Sequence, residues 1–191
     1  MPQLAVTAAA PPGLPGTPFT AWGDNRYRHY VAGATIQPGT LCEIVSGKAY
    51  PCKDAGTAGS FLPALLGVAM FDPAMENSYV TTGGTTEATF PGYAAKAMVP
   101  FCYSGEVWVQ CDVTTSWPDM GVVNIKHSST GANDQGVFTT TAAQTTAGNE
   151  IDALEANIRG VRSELAGTFV DGFNQSIITA VVMLNLPGGS Y

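Results

Sequence analysis

Short apolar runs separated by turn-forming residues dominate the chain from Ala21 to about Thr146. Two pairs of such runs are joined by a Ser-Gly dipeptide: Leu41–Val45 with Lys48–Cys52 around Ser46-Gly47, and Val99–Tyr103 with Glu106–Cys111 around Ser104-Gly105. Short strands joined by two turn residues are typical of tight β-hairpins. We therefore predict a mainly β protein, built as a small antiparallel β-barrel or sandwich.

Three further apolar runs predict strands. Leu65–Phe71 and Gly121–Lys126 have the composition of short strands. Ile177–Leu186 is continuously apolar and ends before Pro187, which is typical of a buried strand. We expect this last strand to close the sheet.

Residues 149–166 have a different periodicity. The apolar residues recur at spacings of three and four: Ile151, Leu154, Ile158, Val161 and Leu165. This spacing places them on one face of a helix. Asn149 is suited to begin such a helix and Gly167 to end it. The pattern predicts a helix over 149–166, packed on its own sheet or, less favourably, in a coiled coil between subunits.

Residues 1–20 contain five prolines and few charges. Proline removes backbone donors and fixes φ, so the segment predicts an extended arm rather than a helix or a central strand. Two interpretations stay open: a disordered tail, or an arm lying along a neighbouring subunit. Residues 21–191 then form a single β-rich domain that includes the helix and the closing strand.

Composition narrows the classes of function. Charged residues make up 12% of the 191-residue chain, about half the usual fraction. This deficit favours a surface largely covered by partners. The net charge of −7 disfavours binding to nucleic acid. No apolar run is long enough for a transmembrane helix, and residues 1–20 lack the basic start of a secretory signal. We expect a cytoplasmic chain with reduced cysteines.

The sequence offers few residues for catalysis, metal or cofactor binding. His29 lies among arginines and His127 follows Lys126, without a carboxylate or cysteine at ligand spacing. The cysteines form no C-x-x-C pair, and no phosphate-binding or nucleophile motif is present. We therefore expect no catalytic, metal or cofactor site and no enzyme, although carboxylates brought together by the fold could escape this test.

The predicted second hairpin offers a candidate interface. Around a two-residue loop, one side of the ribbon carries Met98, Pro100, Cys102, Val107, Val109 and Cys111, which we assign to the core. The other side mixes polar residues with Val99, Phe101, Tyr103 and Trp108. Such a mixture indicates either a binding surface or a second buried layer. We assign Phe19 and Trp22 to the same candidate interface.

The order of these segments resembles the cement, or decoration, proteins of tailed-phage capsids. The resemblance covers residues 30–112 and rests on Gly33-Ala34-Thr35-Ile36-Gln37-Pro38-Gly39-Thr40-Leu41, Ser46-Gly47-Lys48, Leu66-Gly67-Val68-Ala69-Met70, Val99-Pro100-Phe101 and Ser104-Gly105-Glu106-Val107-Trp108-Val109. The helix and the arm lie outside it. It implies a structural protein on the virion exterior, made in the host cytoplasm, that self-associates and clamps neighbouring major-capsid subunits, with no catalytic residues.

Two other classes stay open. One is a β-sandwich module of a phage fibre that binds host glycans, since Trp22, Trp108 and Trp117 could stack on sugars if exposed. The other is an enzyme with a site assembled by the fold. A broad aromatic face shared between subunits would indicate a cement protein, and a groove with polar groups around one ring would indicate a lectin.

The capsid interpretation leads to three expectations. The chain should form a homo-oligomer, a trimer in preference to a dimer. Deletion of residues 1–18 should leave the fold intact and weaken attachment to the assembly. All four cysteines should be free thiols, because a two-residue loop at Ser46-Gly47 places Cys42 and Cys52 on opposite faces of the first hairpin.

Overall fold

A computed structural model describes residues 12–19, 25–52, 65–73, 92–112, 116–127, 135–142, 144–146, 149–153, 157–170 and 176–186. These residues are mainly β-strand, and none of them lies in an α-helix. A 3-10 turn spans Ser163–Leu165. The predicted fold class is confirmed in its β character and wrong in its helix.

Thirteen strands are described. They are β1 Arg26–Val31, β2 Leu41–Val45, β3 Lys48–Pro51, β4 Leu65–Ala69, β5 Met98–Gln110, β6 Gly121–Val122, β7 Asn124–His127, β8 Val137–Thr139, β9 Gln144–Thr146, β10 Asn149–Ala153, β11 Ile158–Val161, β12 Gly167–Val170 and β13 Ser176–Asn185.

The strands form two antiparallel sheets. The nine-stranded sheet has the order β3-β2-β4-β5-β13-β11-β6, with β1 also on β5 and β12 also on β13. The four-stranded sheet has the order β8-β7-β10-β9. Neither closes into a barrel. Side chains from both sheets meet in one apolar cluster that includes Val107, Ile125 and Phe138.

The first predicted hairpin is confirmed. Val45 pairs with Lys48, so the loop is Ser46-Gly47. Both residues have positive φ, at 51° and 75°. A two-residue turn with φ positive at both positions matches the twist of the flanking strands, which explains the glycine.

The second predicted hairpin is wrong, because β5 runs without interruption for 13 residues through Ser104-Gly105. Gly105 has a φ of 119°, and a Cβ there would overlap the Asn25 side chain. The glycine thus lets Asn25 approach the backbone of β5 closely, and it does not form a turn. The register against β1 also skips Tyr103, since Tyr27 pairs with Cys102 and Arg26 with Ser104. This bulge changes which side chains share a face.

The predicted helix over 149–166 is also wrong. The segment forms β10, β11 and the 3-10 turn, while Leu154 lies outside the described residues. Ile158 pairs with Leu184 and Gly160 with Val182 in the large sheet. A Cβ on Gly160 would lie 2.9 Å from Val123 Cγ1, so the glycine serves close packing. Pairing with β13 outweighs the local helical periodicity.

The other predicted strands are largely confirmed. Leu65–Phe71 contains β4, and Gly121–Lys126 divides into β6 and β7. The predicted last strand is β13. It does not close the sheet, because β5 lies on one side of it and β11 with β12 on the other.

Candidate interaction surface

The described part of the predicted arm, residues 12–19, lies on its own chain. Gly16 N–H donates to Trp108 C=O at 2.8 Å, Trp108 N–H donates to Thr17 C=O at 3.0 Å, and Phe19 N–H donates to Glu106 C=O at 3.0 Å. Pro15 and Gly16 are buried. These contacts argue against the expectation that removal of residues 1–18 leaves the fold intact.

An aromatic contact holds this N-terminal segment on the sheet. The Phe19 and Trp108 rings meet edge to face, with centroids 5.9 Å apart. Gly13 lies against the Trp108 indole, where any Cβ would overlap the ring. The Arg162 guanidinium carbon lies 5.4 Å from the Phe19 ring centroid. Because Trp108 is only 6% exposed, its face is covered by the chain itself.

The predicted interface residues are distributed between core and surface. Val99 and Phe101 are fully buried in one apolar cluster with Ile36 and Leu66. Together with Trp108 they match the second of the two interpretations, a buried layer. Tyr103 and Phe19 are half-buried, and Trp22 lies outside the described residues.

Tyr103 makes a specific contact, because the Arg28 guanidinium carbon lies 4.0 Å from its ring centroid. This distance is within the range of a cation–π interaction.

The face of β5 opposite to Val99 and Phe101 reaches solvent at the beginning of the strand. Met98, which the sequence assigned to the core, is 59% exposed. Met98 lies on the same face as Pro100 and the buried Cys102, so the core covers this face only beyond Met98. The bulge acts further along the strand. Cys102, Val107 and Val109 belong to one core cluster despite their even and odd positions, so the alternation changes between Cys102 and Val107.

An open groove of about 320 Å³ lies beside β1. It is lined by Pro18, Tyr27, His29, Met70, Phe71 and Pro100. Tyr27 is 43% exposed, and burial of the rest of its ring raises the pKa of the phenol. The lining is apolar except for the tyrosine hydroxyl and the imidazole. Grooves of about this volume with mostly apolar walls and a few polar groups are typical of binding sites.

The strand beside the groove is basic. Arg26 and His29 are exposed on β1, and Arg28 lies between them in sequence. Sequence reasoning did not identify Tyr27, His29 or Met98 as interface residues. The alternation of charged and aromatic residues in Arg26–Tyr30 signals a half-exposed strand. The exposure of Met98 has no such signal, because it depends on where the core of the fold ends along β5.

The polar groups of the described core have structural roles. The Tyr93 hydroxyl donates to Met70 C=O at 2.8 Å, and burial raises its pKa. Burial also raises the pKa of the Cys42 thiol and raises that of Cys102 to about 11. Trp117 donates its indole N–H to Val181 C=O at 2.9 Å. No group of histidine, cysteine and acidic side chains able to hold a metal ion occurs within the described ranges.

No described helix is long and apolar enough to cross a membrane. Comparisons of the sequence with protein-family models and with curated protein sequences found no match.

Proposed function

We propose that the chain is a structural capsid cement, or decoration, protein. In this proposal it binds copies of itself and clamps neighbouring major-capsid subunits on the exterior of a tailed-phage virion. The observation that carries the proposal is the open apolar groove, which the exposed Tyr27 side chain helps to line. It is a surface suited to protein contact on a chain with few charges.

The groove fits a clamp for a physical reason. A symmetric capsid lattice offers many identical sites, so an oligomer that binds several of them gains avidity from modest contacts. Small apolar grooves provide such modest contacts, because burial of apolar surface contributes only about 25 cal/mol per Å². A rigid β-scaffold loses little conformational entropy when its surface is covered.

We also infer that the fold is a sandwich. The cluster with Val107, Ile125 and Phe138 lies between the two sheets, and facing sheets with a shared apolar layer are the defining feature of this architecture. An interior of this kind keeps the groove and β1 in fixed positions.

Location on the particle tests the proposal directly. Cryo-electron microscopy of phage particles from the organism that encodes the chain should show it on the outer capsid surface, in contact with major-capsid subunits. Density for the chain only in a fibre or tail, or particles that lack the chain altogether, would contradict the proposal.

The groove itself is tested by substitution. Tyr27→Lys should weaken binding of the purified chain to particles stripped of it by at least about tenfold, because a charge would replace an exposed ring that lines the groove. Met120→Lys is the matched control, since Met120 is 60% exposed but not a lining residue of the groove. Equal effects of the two substitutions would remove the groove from the contact.

Self-association is tested by light scattering at micromolar concentration. We expect a discrete oligomer, a trimer in preference to a dimer. A monomer both in solution and on the particle would contradict this part of the proposal.

The alternative of a glycan-binding fibre module has less support from the described residues. Trp108 and Trp117 are 6% and 4% exposed, so neither ring is available to stack on a sugar. Binding to a glycan array that is lost in Tyr27→Ala would restore this alternative.

A further inference from the structure

β1 is a strand whose outer side is open at its beginning, over Tyr27 to His29. Ala32 N–H donates to Ala97 C=O at 2.8 Å, so Ala32 faces the β5 side. Backbone groups alternate in direction along a strand, so those of Tyr27, His29 and Val31 face outward. β3 covers one end of this side, because Ala32 forms a parallel bridge with Ala49 and Gly33 N–H donates to Ala49 C=O at 2.7 Å. Within the part of the chain that the structure describes, the outward groups of Tyr27 and His29 have no backbone partner.

β12 is a second edge strand of the same sheet. Cys111 N–H donates to Ile178 C=O at 2.9 Å, so Ile178 faces β5 and its neighbours face β12. Phe169 pairs with Ile177, and the alternation directs Thr168 and Val170 outward. Val170 is 56% exposed, and no described residue pairs with the outer side of β12.

The other described edges of the large sheet are less suited to pairing. β3 carries Lys48 and Pro51, which are typical of protected edges. β6 has only two residues. β12 has neither proline nor charge, and its sequence, Gly-Thr-Phe-Val, favours strand pairing.

The distribution of charge in the chain indicates which strand can pair with the open side of β1. β1 contains two of the chain's eight lysines and arginines. The rest of the chain has six of them against 15 acidic residues, so its net charge is six minus 15, or −9. Pairing of β1 with another β1 would bring arginines of two copies together, which is unfavourable. The acidic remainder of a second copy attracts the basic strand, and its uncharged β12 offers an edge without repulsion.

We propose that β1 of one copy pairs with β12 of the next, so that the large sheets join head to tail. Contacts between two different surfaces generate a closed ring when the repeated rotation from copy to copy brings the last copy back to the first. The inference rests on the self-association proposed above and identifies its two surfaces.

Two edge-breaking variants test the inference. Proline has no N–H, and the N–H groups of His29 and Thr168 face outward, so His29→Pro and Thr168→Pro each block one edge without removing a bond of the chain's own sheet. We expect each variant alone to shift from oligomer to monomer at concentrations where the unaltered chain is oligomeric, measured by sedimentation velocity. Met120→Lys should stay oligomeric.

An equimolar mixture of the two variants separates this contact from a symmetric one. Thr168→Pro retains β1 and His29→Pro retains β12, so the mixture should form a heterodimer and no larger species. Retention of the oligomer in either variant, a monomeric mixture, or a monomeric unaltered chain would overturn the inference. If circular dichroism shows that a proline variant is unfolded, His29→Lys or Val170→Lys replaces it, because both side chains are exposed.

Particle binding is measured separately, which keeps the two proposals distinguishable. A chain that attaches to the capsid surface as a monomer would overturn the edge pairing and leave the cement function standing. A ring that forms in solution but binds no particle would contradict the cement function and leave the edge pairing standing.

Discussion

The Phe19 ring lies edge-on to the Trp108 indole, at an interplanar angle of 64°. Phe19 belongs to the N-terminal segment and Trp108 to the longest described strand, so the contact joins distant parts of the sequence. Gly16 and Thr17 add backbone bonds to Trp108 on the same side. The segment therefore acts as a short additional strand of the fold.

We predict that Phe19→Ala lowers the free energy of unfolding by about 1–2 kcal/mol, because a half-buried aromatic ring and its edge-to-face contact are lost. Urea denaturation followed by tryptophan fluorescence measures the change. Val122→Ala is the control, and it should change stability by less than about 0.5 kcal/mol because its side chain is 56% exposed. Equal effects would show that the segment contributes nothing to stability.

Gly105 leads to the second prediction. Gly105→Ala should be more destabilising than Gly47→Ala, although both glycines have positive φ, at 119° and 75°. A Cβ at Gly47 meets nothing within 4 Å, so only the backbone strain of about 1–2 kcal/mol is expected there. At Gly105 the Cβ would also overlap Asn25, so an additional loss of about 1–3 kcal/mol is expected. Equal losses in thermal unfolding would mean that Asn25 moves away without cost.

The two Ser-Gly dipeptides show how far the sequence predicts this fold. Around Ser46-Gly47 the strands are short and the turn is local, so composition alone identified the hairpin and its register. At Ser104-Gly105 the glycine accommodates Asn25, about 80 positions earlier in the chain, and a local pattern holds no information about such a contact. The same dipeptide therefore predicted a turn correctly once and wrongly once.

The candidate surface was missed for a related reason. A hairpin at Ser104-Gly105 assigns Met98 to the core and Trp108 to a possible surface. In the structure the core stops short of Met98, which is exposed, and Phe19 packs on Trp108, which is buried. The helix at 149–166 failed similarly, because Ile158 and Val161 are buried by pairing with β13 and not by a helical face. Periodicity identified Ile151, Ile158 and Val161 as buried residues but not the strands that bury them.

The third prediction concerns Asp119 and pH. Ser163 N–H donates to its carboxylate at 2.7 Å and the Ser163 hydroxyl at 2.9 Å, which lowers the pKa of Asp119 from its ordinary 3.8. Because the pKa is lowered in the folded chain, the stabilisation is complete above 3.8 and is lost as the pH falls through the lowered value.

Asp119→Asn should therefore have a lower Tm than the unaltered chain between about pH 5 and pH 8, and this difference should shrink below about pH 4. Calorimetry across this range measures it. Ser163→Ala removes only the hydroxyl bond and should show a smaller difference with the same pH dependence. A difference in Tm that does not change with pH would contradict the assignment.

The last prediction concerns the four cysteines, all of which are free and buried. Cys42 pairs with Pro51, so Cys52 lies one position out of register, and the two belong to different apolar clusters. Cys102 and Cys111 are nine positions apart along the chain. An extended strand advances about 3.3 Å per residue, which is far beyond the reach of a disulfide.

Thiol titration of the denatured, unreduced protein should therefore find four reactive groups per chain. The folded protein at pH 8 should react much more slowly, because burial keeps the thiols protonated and raises the pKa of Cys102 from 9.0 to about 11. Since that pKa is raised in the folded chain, the associated stability is complete below pH 9 and declines as the pH rises towards about 11. Two reactive groups after denaturation would require a disulfide, and rapid reaction in the folded state would require that the core opens readily.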